Sequence, residues 1–433
     1  MKKRTLSIVV VAVLLLAALW IFLRPADRET GEAPPSLQTA DSDVLERGRD
    51  LVQIADCQAC HTARGGASYA GQRAIPTPFG TFYSPNITPD LDTGIGRWSV
   101  DDFWHALHNG YGKNGSPLYP TFPYTNYTKI SRRDADAMFA YLRTQAPVRQ
   151  QNLAHDLAFP YNQRPLLWAW RALFFRPGVY EVDSSQSAEW NRGAYLTQGL
   201  AHCSACHEAR NSLGAIKSTG DPSGGLVLNW YAPALTSSRE AGLQGWSEGD
   251  IVSLLKTGQT HTVASGARAS TLGPMAEVVY ESLQHVHESE LQAMAVYLKS
   301  LPDVGAHVKK ASRSVASESL TGMLKDGSDI YARECSSCHG ERAEGKPPAA
   351  PALAGNRAVC MDSSVNPIRV VLYGGYAPGT TGNPRPFGMP PFFQTLSNGE
   401  VASVLNYVRL YCDNSPPRIF PVKVDEHRSG PLW

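Results

Sequence analysis

Three short clusters of cysteine and histidine have a spacing at which two thiols and one imidazole can bind the same group. Cys57–His61, Cys203–His207 and Cys335–His339 all read C-x-x-C-H. Two thiols about one helical turn apart can each bond one vinyl group of the same porphyrin, and the adjacent histidine can then ligate the iron. A zinc site would need four ligands, usually as paired clusters, and a thioredoxin-like site would need a surrounding βαβ pattern. Neither pattern accompanies these motifs.

The motifs therefore predict three covalently bound haem c groups. The proximal iron ligands are predicted to be His61, His207 and His339, and the attachment sites are predicted to be Cys57, Cys60, Cys203, Cys206, Cys335 and Cys338. No other catalytic constellation is evident, so no catalytic residue is predicted.

A haem that only carries electrons needs a sixth ligand, and a methionine thioether raises its reduction potential. Met389, in Phe387–Phe392, lies in the loop that precedes the last predicted helix of the third unit. Met275 has the same place in the second unit. Both are predicted distal ligands, whereas Met138 and Met294 are expected in cores.

The first unit departs from this pattern because Phe122 occupies the position of the ligand, and phenylalanine cannot bind iron. The remaining candidates are no protein ligand at all, or one of His105, His108 and His155. The distal ligand of the first haem is left unassigned.

The elements that position these motifs recur along the chain. Cys57 and Cys203 are 146 residues apart, and Cys203 and Cys335 are 132 apart, which are domain-sized periods. Near the end of each unit, a capping-box-like start precedes an apolar helical pattern with a tyrosine ten residues later. These pairs are Ser131 and Tyr141, His287 and Tyr297, and Ser397 and Tyr407. Each closing helix is expected to pack across the helix that carries the haem motif.

These repeats predict an all-α fold of three tandem haem domains with long loops. The predicted domains are 44–145, 186–303 and 321–413, with linkers at 146–185 and 304–320 and a tail at 414–433. Cys360 and Cys412 remain outside the motifs. We predict that they form a disulfide in the third domain, the alternative being two buried free thiols.

The N-terminus has a basic start, Met1–Arg4, and an 18-residue apolar run, Leu6–Leu23. A cleaved signal peptide and a membrane span both fit such a pattern. The run ends in bulky residues without an Ala-x-Ala site, which favours a transmembrane signal anchor over 1–24 and a tether over 25–43. Positive charge stays inside, so everything after Arg24 is expected outside the cytoplasm.

Composition excludes other classes of function. The 433 residues contain 40 Lys and Arg against 39 Asp and Glu, and the net charge of +1 argues against a nucleic-acid partner. The 42% of hydrophobic residues is sufficient for packed cores. Gly110–Gly115 matches G-x-G-x-x-G but follows a helical pattern and not a strand, so it is read as a loop.

Five stretches carry a resemblance to a known family. They are Tyr83–Asp90, Thr93–Ser99, Leu118–Tyr124, Gly273–Val279 and Pro386–Pro391. With the three C-x-x-C-H motifs, the chain resembles the membrane-bound triple-haem cytochrome c subunits of alcohol, gluconate or aldehyde dehydrogenases. Many of these relatives have Met-Pro-Tyr where this chain has Phe122-Pro123-Tyr124.

The resemblance implies three class I cytochrome c-like domains behind an N-terminal transmembrane helix. It also implies electron transfer from a separate catalytic dehydrogenase subunit carrying PQQ, a flavin or a molybdenum cofactor. The acceptor would be ubiquinone or a terminal oxidase, and the site would be the periplasmic side of the inner membrane. By similarity, Met275 and Met389 are the distal ligands. The rival hypothesis is an enzyme whose open first haem reduces peroxide or binds a small gas.

Overall fold

The computed structural model describes residues 41–217, 221, 223–260, 269–304, 318–346, 350–412 and 418–429. In chain order, the α-helices of these residues are α1 Ser42–Ile54, α2 Cys57–His61, α3 Val100–Trp104, α4 Tyr124–Tyr127, α5 Arg132–Leu142, α6 Leu166–Phe174, α7 Ala188–Tyr195, α8 Ser204–His207, α9 Glu248–Thr257, α10 Pro274–Glu281, α11 Glu288–Ser300, α12 Glu318–Ile330, α13 Ser336–His339, α14 Arg357–Cys360, α15 Val365–Tyr373, α16 Asn398–Val408 and α17 Pro421–Arg428.

Three crossings of a leading and a closing helix organise the chain. Helix α1 packs on α5, α7 packs on α11, and α12 packs on α16. The predicted crossing of two helices in each unit is thus confirmed, but in the first unit the motif is the separate helix α2 and does not lie on the packed helix itself. In the second and third cases a π-helical turn, Leu196–Leu200 or Tyr331–Cys335, extends the leading helix to the motif.

A glycine permits each crossing. These residues are Gly48, Gly193 and Gly327, and a Cβ on any of them would overlap a backbone carbonyl of the facing helix. The overlapped carbonyl belongs to the residue four positions before Tyr141, Tyr297 or Tyr407. The repeated tyrosine therefore marks the place where two helix backbones approach most closely.

The first residues of the closing helices match the predicted capping box to different degrees. Ser397 forms a complete capping box with Glu400. The hydroxyl of Ser131 also accepts from the Asp134 amide, but the Asp134 carboxylate accepts from Arg47 at 2.7 Å and from a tyrosine hydroxyl. His287 gives no side-chain cap, consistent with its being an imperfect match to the pattern.

The all-α prediction is wrong because the long loops contain small antiparallel sheets. β1 (Ala74–Thr77), β2 (Gly80–Tyr83) and β3 (Asp156–Leu157) form one, with Ala74 opposite Tyr83 and Gly80 opposite Leu157. Three two-stranded sheets follow: β4 (Gly225–Val227) with β5 (Trp230–Ala232), β6 (Gln259–Thr260) with β7 (Ala269–Ser270), and β8 (Gly375–Tyr376) with β9 (Gly388–Met389). A loop that folds back against a core must pair its backbone groups, and short ladders do this.

The region 146–185, predicted as a linker, packs against the first unit. It supplies β3 and helix α6, whose Arg171 lies 4.2 Å from the centroid of the Tyr111 ring. The tail beyond 414 also contains a packed element, since Val424 of α17 is fully buried. Buried apolar residues therefore extend past the predicted domain bounds.

Two apolar cores hold the described residues together. One is continuous from Leu51 in α1 to Leu298 in α11, so the first two helix pairs share it. The other surrounds α12, α16 and α17. The predicted disulfide between Cys360 and Cys412 is confirmed, with 5.5 Å between the two Cα atoms, and it joins α14 to the chain beyond α16.

The predicted membrane-crossing segment, 1–24, and most of the tether lie outside the described residues. Within the described ranges, no helix is both long enough and apolar enough to span a bilayer. The membrane part of the predicted fold class thus has no counterpart in this part of the chain.

The crossing glycines can be tested within one helix. Gly327→Ala should lower the free energy of unfolding by about 1–3 kcal/mol, because the new methyl group overlaps the facing backbone. Gly322 of the same helix is exposed and meets no atom within 4 Å, so Gly322→Ala should be neutral or slightly stabilising. Denaturant unfolding followed by circular dichroism gives both values. Equal effects of the two substitutions would contradict this account of the crossing.

Candidate haem sites

The first motif is a single short helix, α2. Asp56 precedes it in a left-handed conformation, with φ of 51°, and turns the chain sharply after α1. Cys57 and Cys60 are three positions apart on this helix and are free thiols. At its end, Nδ1 of His61 lies 2.7 Å from the carbonyl oxygen of Pro85.

The same histidine contact recurs in the other two motifs. Nδ1 of His207 lies 2.7 Å from the Pro233 carbonyl, and Nδ1 of His339 lies 2.9 Å from the Pro351 carbonyl. A carbonyl only accepts, so each Nδ1 must carry the proton and donate it. The lone pair of the neutral ring is then on Nε2, the nitrogen left for a metal.

Electrostatics favours the neutral imidazole in all three places. Burial lowers the pKa of His61, His207 and His339, and the hydrogen bond to the proline carbonyl only partly offsets this effect. A neutral ring with a free Nε2 is the form that binds iron. These residues fit a haem in which the histidine is the proximal ligand.

The six motif cysteines fit covalent attachment. All six are free thiols, whereas Cys360 and Cys412 are bonded to each other. Burial raises the pKa of Cys60 and of Cys203 to about 12. Each motif thus offers two free thiols three positions apart, which is the arrangement that two porphyrin vinyl groups require.

Met275 and Met389, the two predicted distal ligands, are both half-buried. Met275 is the second residue of α10 and packs against the shared core. The preceding Gly273, with φ of 58°, packs on Trp230, where a Cβ would come within 2.6 Å of ring atoms. Met389 lies in β9 opposite Gly375. Met138 and Met294, expected in cores, are each only 1% exposed, as predicted.

In the first unit, Phe122 lies in the turn before α4 and its ring packs 5.4 Å from that of Tyr127. Among the candidate histidines, Nδ1 of His155 accepts from the Tyr83 amide at 3.2 Å. Its neutral ring must then carry the proton on Nε2, which disfavours iron binding through that atom. His105 and His108 direct Nδ1 at Asn109 Oδ1 and at a backbone carbonyl.

The first and second motifs lie side by side. Asn126 donates to Ser204 Oγ, inside the second motif, at 2.7 Å. The Tyr127 hydroxyl donates to the Ala55 carbonyl, just before the first motif, at 3.0 Å, and its ring packs edge-on to His202. The short α4 helix therefore bridges the two motifs.

Sequence reasoning missed the charged residues at this junction. Arg73 donates to the Ala59 carbonyl of the first motif at 2.8 Å and forms a bidentate ion pair with Glu277 of α10. Asp56 is buried beside them, and burial, Glu277 and Glu281 raise its pKa. No spacing signal could reveal partners 204 positions apart in the chain.

The third unit is attached to the second by polar contacts. The side chain of Asn366 pairs with the backbone of Tyr231 through two hydrogen bonds of 2.8 and 2.9 Å. Arg239 and Asp362 form an ion pair at 2.6 Å. Arg357 donates to the Glu240 carbonyl at 3.1 Å. This junction lies between α15, the loop after α14, and the segment around β5.

Comparison with known proteins supports the family resemblance drawn from the sequence. The family model described as Cytochrome c matches residues 45–146 and 324–410. The chain is 38% identical over 392 residues to the alcohol dehydrogenase (quinone) cytochrome c subunit of Gluconobacter oxydans, covering 88% of this chain and 81% of that one. It is 36% identical to the gluconate 2-dehydrogenase cytochrome c subunit of Pantoea cypripedii, covering 86% of each.

A further relative is much longer than this chain. A nicotinate dehydrogenase subunit of Pseudomonas putida is 41% identical over 384 residues, which cover 87% of this chain but only 31% of that protein. The resemblance to dehydrogenase cytochrome subunits is confirmed by these matches. The chain belongs to the family of cytochrome c subunits of dehydrogenases, in which covalently bound haem c serves electron transfer.

Proposed function

We propose that this chain binds three haem c groups and carries electrons from a separate catalytic dehydrogenase subunit to ubiquinone or a terminal oxidase. The observation that carries the proposal is the threefold recurrence of a C-x-x-C-H helix whose histidine donates Nδ1–H to a proline carbonyl. The donor subunit would hold PQQ, a flavin or a molybdenum cofactor. The chain itself has no step of substrate chemistry in this proposal.

The residues of each unit have defined tasks. The thioether bonds are proposed at Cys57, Cys60, Cys203, Cys206, Cys335 and Cys338, and the proximal ligands are His61, His207 and His339. We propose Met275 and Met389 as distal ligands of the second and third haems. The haem supplies an iron that takes up and releases one electron, and its axial ligands adjust the potential. The three units correspond to 44–145, 186–303 and 321–413.

The protein's contribution is orientation and exclusion of water. The proline carbonyl fixes the rotation and the tautomer of each imidazole, and burial keeps it neutral. The rigid helix crossings hold the leading helices, from which the motifs follow. Little reorganisation is then needed when an electron arrives.

We place the haem units outside the cytoplasm, on the periplasmic side of the inner membrane. The Cys360–Cys412 disulfide supports this location because such bonds persist in oxidising compartments. The relatives named as dehydrogenase cytochrome subunits support a dehydrogenase partner. The partner's substrate class is left open among alcohols, sugar acids and aldehydes.

The number of haems is directly measurable. The intact mass of the purified protein should exceed the polypeptide mass by three haem equivalents, and Cys203→Ala with Cys206→Ala should reduce the excess to two. Cys360→Ala with Cys412→Ala is the matched control and should retain all three. A wild-type protein with fewer than three haems would contradict the proposal.

Electron entry can be tested with the partner. The dehydrogenase's own substrate should reduce the haems, seen as a change in their absorbance, when it is added to the complex of this chain with the co-purifying dehydrogenase. The same substrate should leave the haems of this chain alone oxidised. Adding a ubiquinone analogue should then reoxidise the haems. Substrate-driven reduction of the isolated chain would contradict the proposal that a separate catalytic subunit supplies the electrons.

Phe122 gives a prediction specific to the first haem. Because its ring has no lone pair, the wild-type protein should show the methionine–iron charge-transfer band for two haems only. Phe122→Met should add a third and raise the lowest midpoint potential, since a thioether favours the reduced iron. Phe122→Leu is the control, filling the space without a ligand. Three methionine-ligated haems in the wild type would contradict the proposal that the first haem has no methionine ligand.

A further inference from the structure

We propose that Arg73 and Glu277 form a clamp that fixes the distal-ligand helix of the second haem against the first haem motif and thereby positions these two haems for electron transfer between them. The inference rests on the proposed function, in which both motifs bind haem and Met275 ligates iron. In this role Arg73 is a positioning residue because it acts through the Ala59 backbone and Glu277.

The contacts of Arg73 span the junction. One guanidinium nitrogen donates both to the Ala59 carbonyl, between Cys57 and Cys60, and to Glu277, while the other reaches Glu277 Oε2 at 2.7 Å. Glu277 is two residues after Met275 on α10. One side chain thus connects the backbone of the first motif to the helix that carries the second distal ligand.

Further contacts hold the C-terminal end of α10 against the same region. Gln58, within the first motif, donates to Glu281 at 3.4 Å. Ser282 donates to the carbonyl of Gln53 at the end of α1 at 2.7 Å. With Arg73, these bonds restrain α10 at successive positions along its length, so it cannot pivot freely on the apolar core beneath it.

The charges around the clamp make it more than a packing contact. Glu277 and Glu281 approach the first motif as carboxylates, beside the buried carboxyl of Asp56. Arg73 is the cation that faces Asp56 and Glu277. A cation near a haem stabilises its reduced form, and an anion stabilises its oxidised form. Removing the charge of Arg73 should therefore lower the reduction potential, and removing the charge of Glu277 should raise it.

The chain contains a matched control. Arg192 and Glu290 also form a bidentate pair, through Nε and Nη2 of the guanidinium, with distances of 2.8 and 2.6 Å. It joins α7 to α11 within the second unit and is similarly half-exposed. If ion pairs merely stabilised the fold, the two pairs would respond alike.

The test uses the haem-loaded full chain. We would compare Arg73→Lys, Arg73→Gln, Glu277→Gln and the control Arg192→Gln, measuring haem content, midpoint potentials by spectroelectrochemistry, the methionine–iron band, and the rate of electron equilibration between haems after flash reduction. Arg73→Gln should lower the potentials of the first two haems, and Glu277→Gln should raise them.

Arg73→Lys separates geometry from charge. Lysine keeps the positive charge but cannot bridge both partners with a planar fork, so potentials should stay near the wild-type values. The equilibration rate should nevertheless fall by about tenfold, because small displacements of reacting groups have large kinetic effects. Arg192→Gln should change neither quantity.

Two outcomes are distinguishable. If the wild type carries three haems but all the Arg73 and Glu277 variants match it in potentials and rates, or if Arg192→Gln shifts them equally, the clamp is overturned while the proposed function survives. A wild type without haem on the first two motifs would overturn both. The conservative lysine variant keeps the test informative if Arg73→Gln folds poorly.

Discussion

The bond from a histidine Nδ1–H to a proline carbonyl is the constraint on which the geometry of each C-x-x-C-H motif depends. It fixes the tautomer, leaves the Nε2 lone pair available, and sets the ring orientation relative to the two thiols one and four residues upstream. Each proline lies 12 to 26 residues beyond its histidine. In the first two units a small sheet lies between the histidine and its proline, β1 with β2 and β4 with β5, so these sheets help to hold the contact.

The helix crossings supply the frame in which those loops are held. At Gly48, Gly193 and Gly327 the leading helix approaches the backbone of the closing helix directly, without an intervening side chain. Because the backbones of the leading and closing helices are in contact, the motif that follows the leading helix has little freedom to move. The same close packing thus recurs before each of the three C-x-x-C-H motifs.

The units differ in how they are joined. The first and second share one apolar core, and their motifs are linked through α4 and through Arg73 and Glu277. The third has its own core and a disulfide, and it meets the second through hydrogen bonds and the Arg239–Asp362 ion pair. A shared core with a charged clamp favours a fixed geometry between the first two sites. Apolar burial stabilises the contact between the units, and the ion pair restricts their relative orientation.

The sequence by itself determined the three motifs, the closing helices with their tyrosines and the burial of Met138 and Met294, because these follow from local spacing and helical periodicity. It also predicted the disulfide, because Cys360 and Cys412 are the cysteines left outside the motifs. The distal-ligand assignments stay predictions. The sheets, and the surface against which 146–185 packs, were decided only by tertiary structure, since a loop pairs its backbone according to what it lies against. The Arg73–Glu277 pair also depends on the tertiary structure. The two residues are 204 positions apart, so no periodic signal connects them, and only the folded chain brings their charges into contact.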